Sequence, residues 1–252
     1  MPLTGTRDLS PLVPAAPAVP SLDAERWELP QAQILQLMYE IDDSAMTTLI
    51  PQALHPTIPP TLIFVVTRVP ESPVGPFLLA EVRVGCRSGT RPRGFLARGY
   101  CDSAQAIEAL GQRWGYPLRQ AEVTLQKRYD RVGASVTLEG RTILDMALMN
   151  PEPISGGDIQ YLANLNLARV VRSGVEAPRL IQVDPDYVFH TADRGRPRLN
   201  AFDADAWELP GANPYHPVSA SFAVADITMP NLRYLVDPTK NPLEAVEKIA
   251  AN

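Results

Sequence analysis

The sequence predicts a β-rich α+β domain, a sheet closed into a barrel or cone with a few peripheral helices. Three observations lead there. Short β-branched or alternating runs recur along the whole chain, bounded by Pro- and Gly-rich turns. Of 252 residues, 26 are proline, roughly twice the usual share, and proline breaks helix interiors, which excludes a bundle of long helices. No fixed-period repeat and no internal linker is evident, and the length suits one large domain able to bury a real core.

Taken in order, residues 1–22 carry prolines at 2, 11, 14, 17 and 20 with Ala and Ser between. They read as an extended arm, a loose tail in the first instance and otherwise a segment laid on a neighbouring subunit. Residues 23–252 then form one domain. ILQLMYEI (34–41) reads as a strand, after which Asp42 or Asp43 starts a short helix stopped by Pro51. TLIFVVT (61–67) is a continuous apolar run, as in a strand buried on both faces. FLLAEVRV (77–84) and GFLARGY (94–100) are further strands. The strongest helix is 103–114: Asp102 or Ser103 caps it, Ile107, Leu110 and Trp114 share a face, Gly115 takes the left-handed C′ position and Pro117 prevents continuation. Strands follow at 121–129, 132–138, 142–149, 161–171, 179–190, 198–202 and 218–228, with Glu139-Gly140 as a hairpin turn. A short helix at 241–250 closes the chain.

Composition excludes several classes. Hydrophobic residues make up 45% and charged residues 20%, an ordinary globular balance. A net charge of −5 argues against nucleic acid as a partner. No apolar run approaches the length of a membrane span and no signal peptide is visible. Cys86 and Cys101 make no disulfide framework, so a cytoplasmic location is expected. Of 23 basic residues only Lys127, Lys240 and Lys248 are lysines. Arginine stays protonated, whereas lysine can lose its proton and act as a nucleophile, so this count removes nearly all amine chemistry. The Arg excess with abundant Ala and Pro suggests a GC-rich bacterial genome.

The familiar motifs are missing: no G-x-G-x-x-G, P-loop, H-E-x-x-H, C-x-x-C or G-x-S-x-G. His55, His190 and His216 are isolated, and neither a metal nor a cofactor is called for. Within 77–84, alternation places Phe77, Leu79, Glu81 and Arg83 on one face and Leu78, Ala80, Val82 and Val84 on the other. The second face is core. The first begins apolar and ends charged, which fits a strand lining a cavity or one whose end reaches water. In a cavity, Glu81 beside Phe and Leu would suit proton transfer. Gly115-Tyr116-Pro117-Leu118-Arg119 is a helix-to-strand junction of the kind that presents side chains to a pocket.

At these residues the chain resembles the acetoacetate decarboxylase family, along nearly its whole length. Tyr39 to Leu54, with Leu49-Ile50-Pro51-Gln52-Ala53-Leu54, resembles the family's strand, helix and VP-x-x-L stretch. Glu81 falls at its cavity glutamate, 103–117 resembles its helix ending in G-(F/Y)-P, and VSASFAVADITMP (218–230) resembles its closing strand. The resemblance implies a β-cone around a small, mostly apolar cavity, a homo-oligomer, and imine chemistry in which a lysine of an aromatic-Pro-Lys-Lys segment forms a Schiff base with a β-keto acid. In that family the second lysine and the apolar surroundings keep the first unprotonated enough to attack a carbonyl. Here the two lysine positions hold Leu118 and Arg119. The family's early arginine would fall near Ala32 or Gln33, with Arg26 the nearest arginine, and a second carboxylate position falls near Val65.

The expectation is therefore an acetoacetate decarboxylase-like enzyme that works without an imine on an enolisable keto or β-dicarbonyl substrate, polyketide-like substrates included. Glu81 is its acid/base and Arg119 the cation that holds a carboxylate or enolate. Tyr116, Leu118, Phe77, Leu79, Arg83 and Val65 line the cavity. Dehydration, isomerisation, aldol-type cleavage and cyclisation, as in secondary metabolism, all fit. Two alternatives stand beside it: a non-catalytic protein binding a small apolar ligand, and a β-keto acid decarboxylase that uses Lys127 or no amine.

Overall fold

A computed structural model describes residues 3–172 and 174–249. In chain order the elements are β1 (Ala18–Val19), β2 (Trp27–Ile41), β3 (His55–Pro56), β4 (Thr61–Val69), β5 (Phe77–Ser88), β6 (Arg91–Cys101), α1 (Ala104–Trp114), β7 (Leu118–Gln120), β8 (Glu122–Lys127), β9 (Arg131–Leu138), β10 (Arg141–Pro153), β11 (Asn164–Arg172), β12 (Val175–Val183), β13 (Asp186–Phe202), β14 (Pro214–Met229), β15 (Tyr234–Val236) and β16 (Val246–Lys248). All sixteen strands join one sheet whose main path runs β16-β15-β12-β11-β6-β5-β4-β2-β14-β13-β10-β9-β8. Most neighbours pair antiparallel; β11 and β7 pair with β6, and β1 with β11, in parallel. No helix among the described residues is long and apolar enough to cross a membrane.

The expected closure is corrected: the sheet is not closed. It curls until edge strand β8 lies against β4, β5 and β6. What joins them there is single bonds, from Ala121 N to Cys101 O at 3.0 Å and from the Arg68 guanidinium to Leu125 O. The reason is in the chain path. β7 takes the stretch of the β6 edge that β11 leaves open, and β8 follows it after one residue, too soon to form a second ladder on that edge. One core fills the inside of the curl, around Leu35, Phe64, Tyr100, Val136 and Trp207. The other lies on the opposite face, between the sheet and α1, around Ile34, Val65, Leu79, Leu110 and Trp114.

Helix α1 forms as its sequence predicts. Ser103 Oγ accepts the Ala106 N–H at 3.3 Å, and Ala106, Leu110 and Trp114 make the buried stripe. Gly115 ends it with φ +66°. A side chain at 115 would also strike Ala168 Cβ and Ile181 Cδ1, each at 2.8 Å. Gly115→Ala should therefore lower stability by about 2–3 kcal/mol, from the left-handed backbone and the overpacking together. Urea denaturation measures this, and a change below about 0.5 kcal/mol would show that the turn relaxes freely.

Other elements differ from expectation. The N-terminal segment packs against the rest of its own chain and is not a loose tail. Leu9, Leu12, Ala16 and Val19 are buried, Gly5 N and Arg7 N donate to Leu54 O and Ile50 O, and β1 pairs with β11. Its prolines interrupt ladders but leave apolar side chains to pack. The expected helix after Asp42 is a 3-10 turn, Asp43–Ala45. The expected strand 179–190 is two strands, because Pro185 has no N–H to donate between β12 and β13. The expected helix 241–250 is a turn followed by β16, with residue 250 outside the described residues. Asn241 Oδ1 accepts Leu243 N, Leu243 is exposed and so offers no face to bury, and Val246–Lys248 pairs with Tyr234–Val236.

Candidate active site

Register builds the site. A single row crosses the sheet through Ser221, Gln36, Val65, Glu81, Gly99 and Leu118, each paired with the next. Between Glu81 and Arg83 the β5–β6 register slips, so that Arg83 faces Leu96 while Glu81 faces Gly99. That bulge inserts one extra β6 residue beside the site. The missing side chain at Gly99 leaves room for Leu118, whose Cδ2 lies 2.7 Å from where a Cβ would stand. Leu118 thus reaches across Gly99 towards the strand that carries Glu81.

Above this row is a cavity of about 50 Å³. Leu29, Ile34, Val65, Val69, Phe77, Leu79, Leu110, Ile227 and Met229 supply apolar wall. Glu81, Arg83, Tyr116, Tyr161, Tyr187 and Thr67 supply polar groups. Glu81 and Arg83 are each only 4% exposed. Asn164, at the start of β11, joins them. Its Nδ2 donates to Glu81 Oε1 at 2.5 Å and its Oδ1 accepts Arg83 Nη1 at 2.6 Å. Arg83 Nη2 reaches Glu81 Oε2 at 3.4 Å and Nη1 also donates to Leu162 O at 3.0 Å. The amide orientation follows from chemistry: arginine only donates, so the Asn164 oxygen must face it. Tyr116 OH lies 3.4 Å from Asn164 Nδ2. Asn166, two residues on, donates to Trp114 O at 3.0 Å and fixes the end of α1 from which Tyr116 projects.

Among the described residues, the buried Arg83 Nε and Tyr161 OH, on residues lining this cavity, have no hydrogen-bond partner, and neither has the neighbouring Asn166 Oδ1. Ser221 is a hydroxyl neighbour of Tyr161 but makes no bond of normal geometry with it. Burying polar groups unpaired is costly, so a polar ligand atom has waiting partners here.

Burial raises the phenols of Tyr116, Tyr161 and Tyr187, and the nearby Glu81 charge adds to this at Tyr116. Burial also pushes the Cys86 thiol up to about 12. These groups ionise in the unfolded chain first, the tyrosines at about pH 10. Their contribution to stability is full below that pH and is lost as pH rises towards the folded values. The Tm should fall steadily above about pH 10, and the tyrosinate absorbance of these residues should appear only with unfolding. Tyrosinate signal from all eight tyrosines in a chain that stays folded would contradict it.

Of the residues singled out in the sequence, Glu81, Arg83, Val65, Phe77, Leu79 and Tyr116 line the cavity. Leu118 packs against the same apolar cluster from beside it. Arg119 is the correction. It lies on the opposite face of β7, half-exposed, with Arg119 Nη2 3.9 Å from Glu208 Oε1. Adjacent strand residues point to opposite faces, so Leu118 and Arg119 cannot share a pocket. Arg26 is exposed and takes no part in the lining. Asn164, Tyr161 and Tyr187 escape the sequence reading. The one available signal is Asn164-Leu-Asn166, amides alternating inside an otherwise apolar strand. None of the three lysines, all within the described residues, lines the cavity. Lys127 Nζ pairs with Asp193 at 2.9 Å and lies over the Phe222 ring.

With this geometry in view, the comparisons with known proteins are direct. The family profile described as Acetoacetate decarboxylase (ADC) matches residues 8–238, and the chain belongs to that family. A structure of acetoacetate decarboxylase superposes with a TM-score of 0.73 at 19% identity, covering 82% of this chain and 88% of that one. The acetoacetate decarboxylase of Legionella pneumophila gives 0.72 at 17% identity, covering 83% and 86%. The enduracididine biosynthesis enzyme MppR, complexed with the condensation product of pyruvate and imidazole 4-carboxaldehyde, gives 0.68 at 14% identity, covering 86% and 91%. At these identities the likeness is one of fold. No curated protein matches the sequence.

Proposed function

We propose that this member of the acetoacetate decarboxylase family acts without an imine on a small enolisable keto acid or β-dicarbonyl compound. The observation that carries this reading is a buried carboxylate and guanidinium, Glu81 and Arg83, at a cavity that no lysine lines. By its resemblance to the family's aromatic-Pro-Lys-Lys segment, Tyr116-Pro117-Leu118-Arg119 sets Leu118 where the Schiff-base lysine would stand. Glu81 removes a proton from the carbon next to the carbonyl: the C–H bond breaks, a carboxyl O–H forms, and the electron pair moves onto the carbonyl oxygen. Arg83 Nε and Tyr161 OH, both without hydrogen-bond partners among the described residues, are the donors offered to that enolate oxygen or to the substrate's carboxylate. Such preorganised donors in a water-poor site contribute a few kcal/mol, about 3 for one oxyanion donor. Leu118, Phe77, Leu79 and Val65 hold the apolar part of the substrate. Dehydration, isomerisation, aldol-type steps and cyclisation share this first proton transfer. That Arg83 Nε is buried without a partner favours an enzyme over a passive pocket for apolar ligands.

The test is solvent exchange. In deuterium oxide, the protein should wash deuterium into the C3 methyl of pyruvate or into C2 of a β-keto acid, faster than in a protein-free control, followed by NMR, with no loss of carbon dioxide. Decarboxylation at a rate matching exchange would contradict the reading.

A further inference from the structure

Arg119, the basic residue the active site does not use, belongs to a second cluster on the back of the sheet. The β6 bulge beside Glu81 turns Arg98 away from the cavity, so that Arg98 and Arg119 meet behind Gly99 and Leu118. Both approach one oxygen, Glu208 Oε1, at 3.5 and 3.9 Å. These distances exceed the roughly 2.7–2.9 Å of a charge-assisted hydrogen bond. Arg7 adds a third guanidinium, which donates to Glu208 O and Leu49 O. Glu208 itself holds φ at +58°, a conformation uncommon for a residue with a side chain. Among the described residues no other carboxylate lies within ion-pair distance of Arg98 or Arg119. The Arg98 side chain is only 3% exposed, and its Nε has no hydrogen-bond partner. Two guanidiniums thus share one carboxylate, a third is held on the backbone carbonyl of the same residue, and Arg98, the more buried of the sharing pair, has an Nε left unpaired. A guanidinium removed from water without a partner is unfavourable unless another anion completes the set.

We infer that Arg98 and Arg119, with Arg7 beside them, form a binding site for a doubly charged oxyanion of the phosphate class, separated from the cavity by the sheet. An excess of two positive charges matches a dianion better than a carboxylate, and planar guanidinium forks match phosphate oxygens. Because Leu118 and Arg119 are consecutive on β7, an anion held by Arg119 also fixes the strand that presents Leu118 to the cavity.

The probe is inorganic phosphate, compared with sodium chloride at equal ionic strength. About 10 mM phosphate should raise the Tm of the full chain by about 2–5 °C. Arg119→Gln, a half-exposed site where folding is not at risk, should abolish that increment, and Arg83→Gln should keep it. No phosphate-specific increment, or one that survives Arg119→Gln, would overturn the inference. An increment lost only in Arg83→Gln would place the phosphate in the cavity instead. None of these outcomes depends on turnover.

Discussion

Glu81→Gln is expected to reduce α-proton exchange by about 10²–10⁴-fold, the range a positioned general base contributes, while ligand affinity changes little. The substitution keeps the shape of the side chain but removes both its basicity and the charge that pairs with Arg83, so a loss of stability accompanies the loss of turnover. Asn164 Nδ2 and Arg83 Nη2, which now donate to Glu81, would face an amide that still offers one oxygen. The variant should therefore fold, bind and fail to turn over. Equal exchange rates in the two proteins would remove Glu81 from the chemistry. Loss of binding alongside unchanged turnover of bound substrate would make it a recognition residue.

Arg83→Met is the second large effect, and it falls on stability. Removing one member of a buried ion pair strands the other, at a cost of about 3–5 kcal/mol. Glu81 would retain only Asn164 as a donor, in a site 4% exposed. The double variant Glu81→Gln with Arg83→Met removes both charges and should be more stable than Arg83→Met alone. Urea denaturation of the three proteins gives the comparison. A single variant within about 1 kcal/mol of wild type, or a double variant weaker than Arg83→Met, would mean that the pair is not held as described.

How much of this is legible in the sequence follows from which interactions are local. Helix α1 is readable because Ser103, Gly115 and its apolar stripe lie within one short segment. Strands β4 and β5 are readable from composition and alternation, and the same period of two places Glu81 and Arg83 on one face. Applied to β7, that period separates Leu118 from Arg119; the resemblance to an adjacent lysine pair obscures it. Asn164 and Glu81 are 83 residues apart in sequence, and their contact exists only through the register of β5, β6 and β11. Long-range register also explains Tyr161 and Tyr187, the open sheet, and the burial of the N-terminal segment. No local pattern encodes which strand edge β7 occupies.

The most direct test of imine-free chemistry is borohydride trapping read by intact mass. Wild-type protein incubated with acetoacetate or a larger β-keto acid should show no reduced adduct. Leu118→Lys, which sets an amine across Gly99 from Glu81, should show one. An adduct on wild-type protein, mapped to Lys127 or to either C-terminal lysine, would contradict the account.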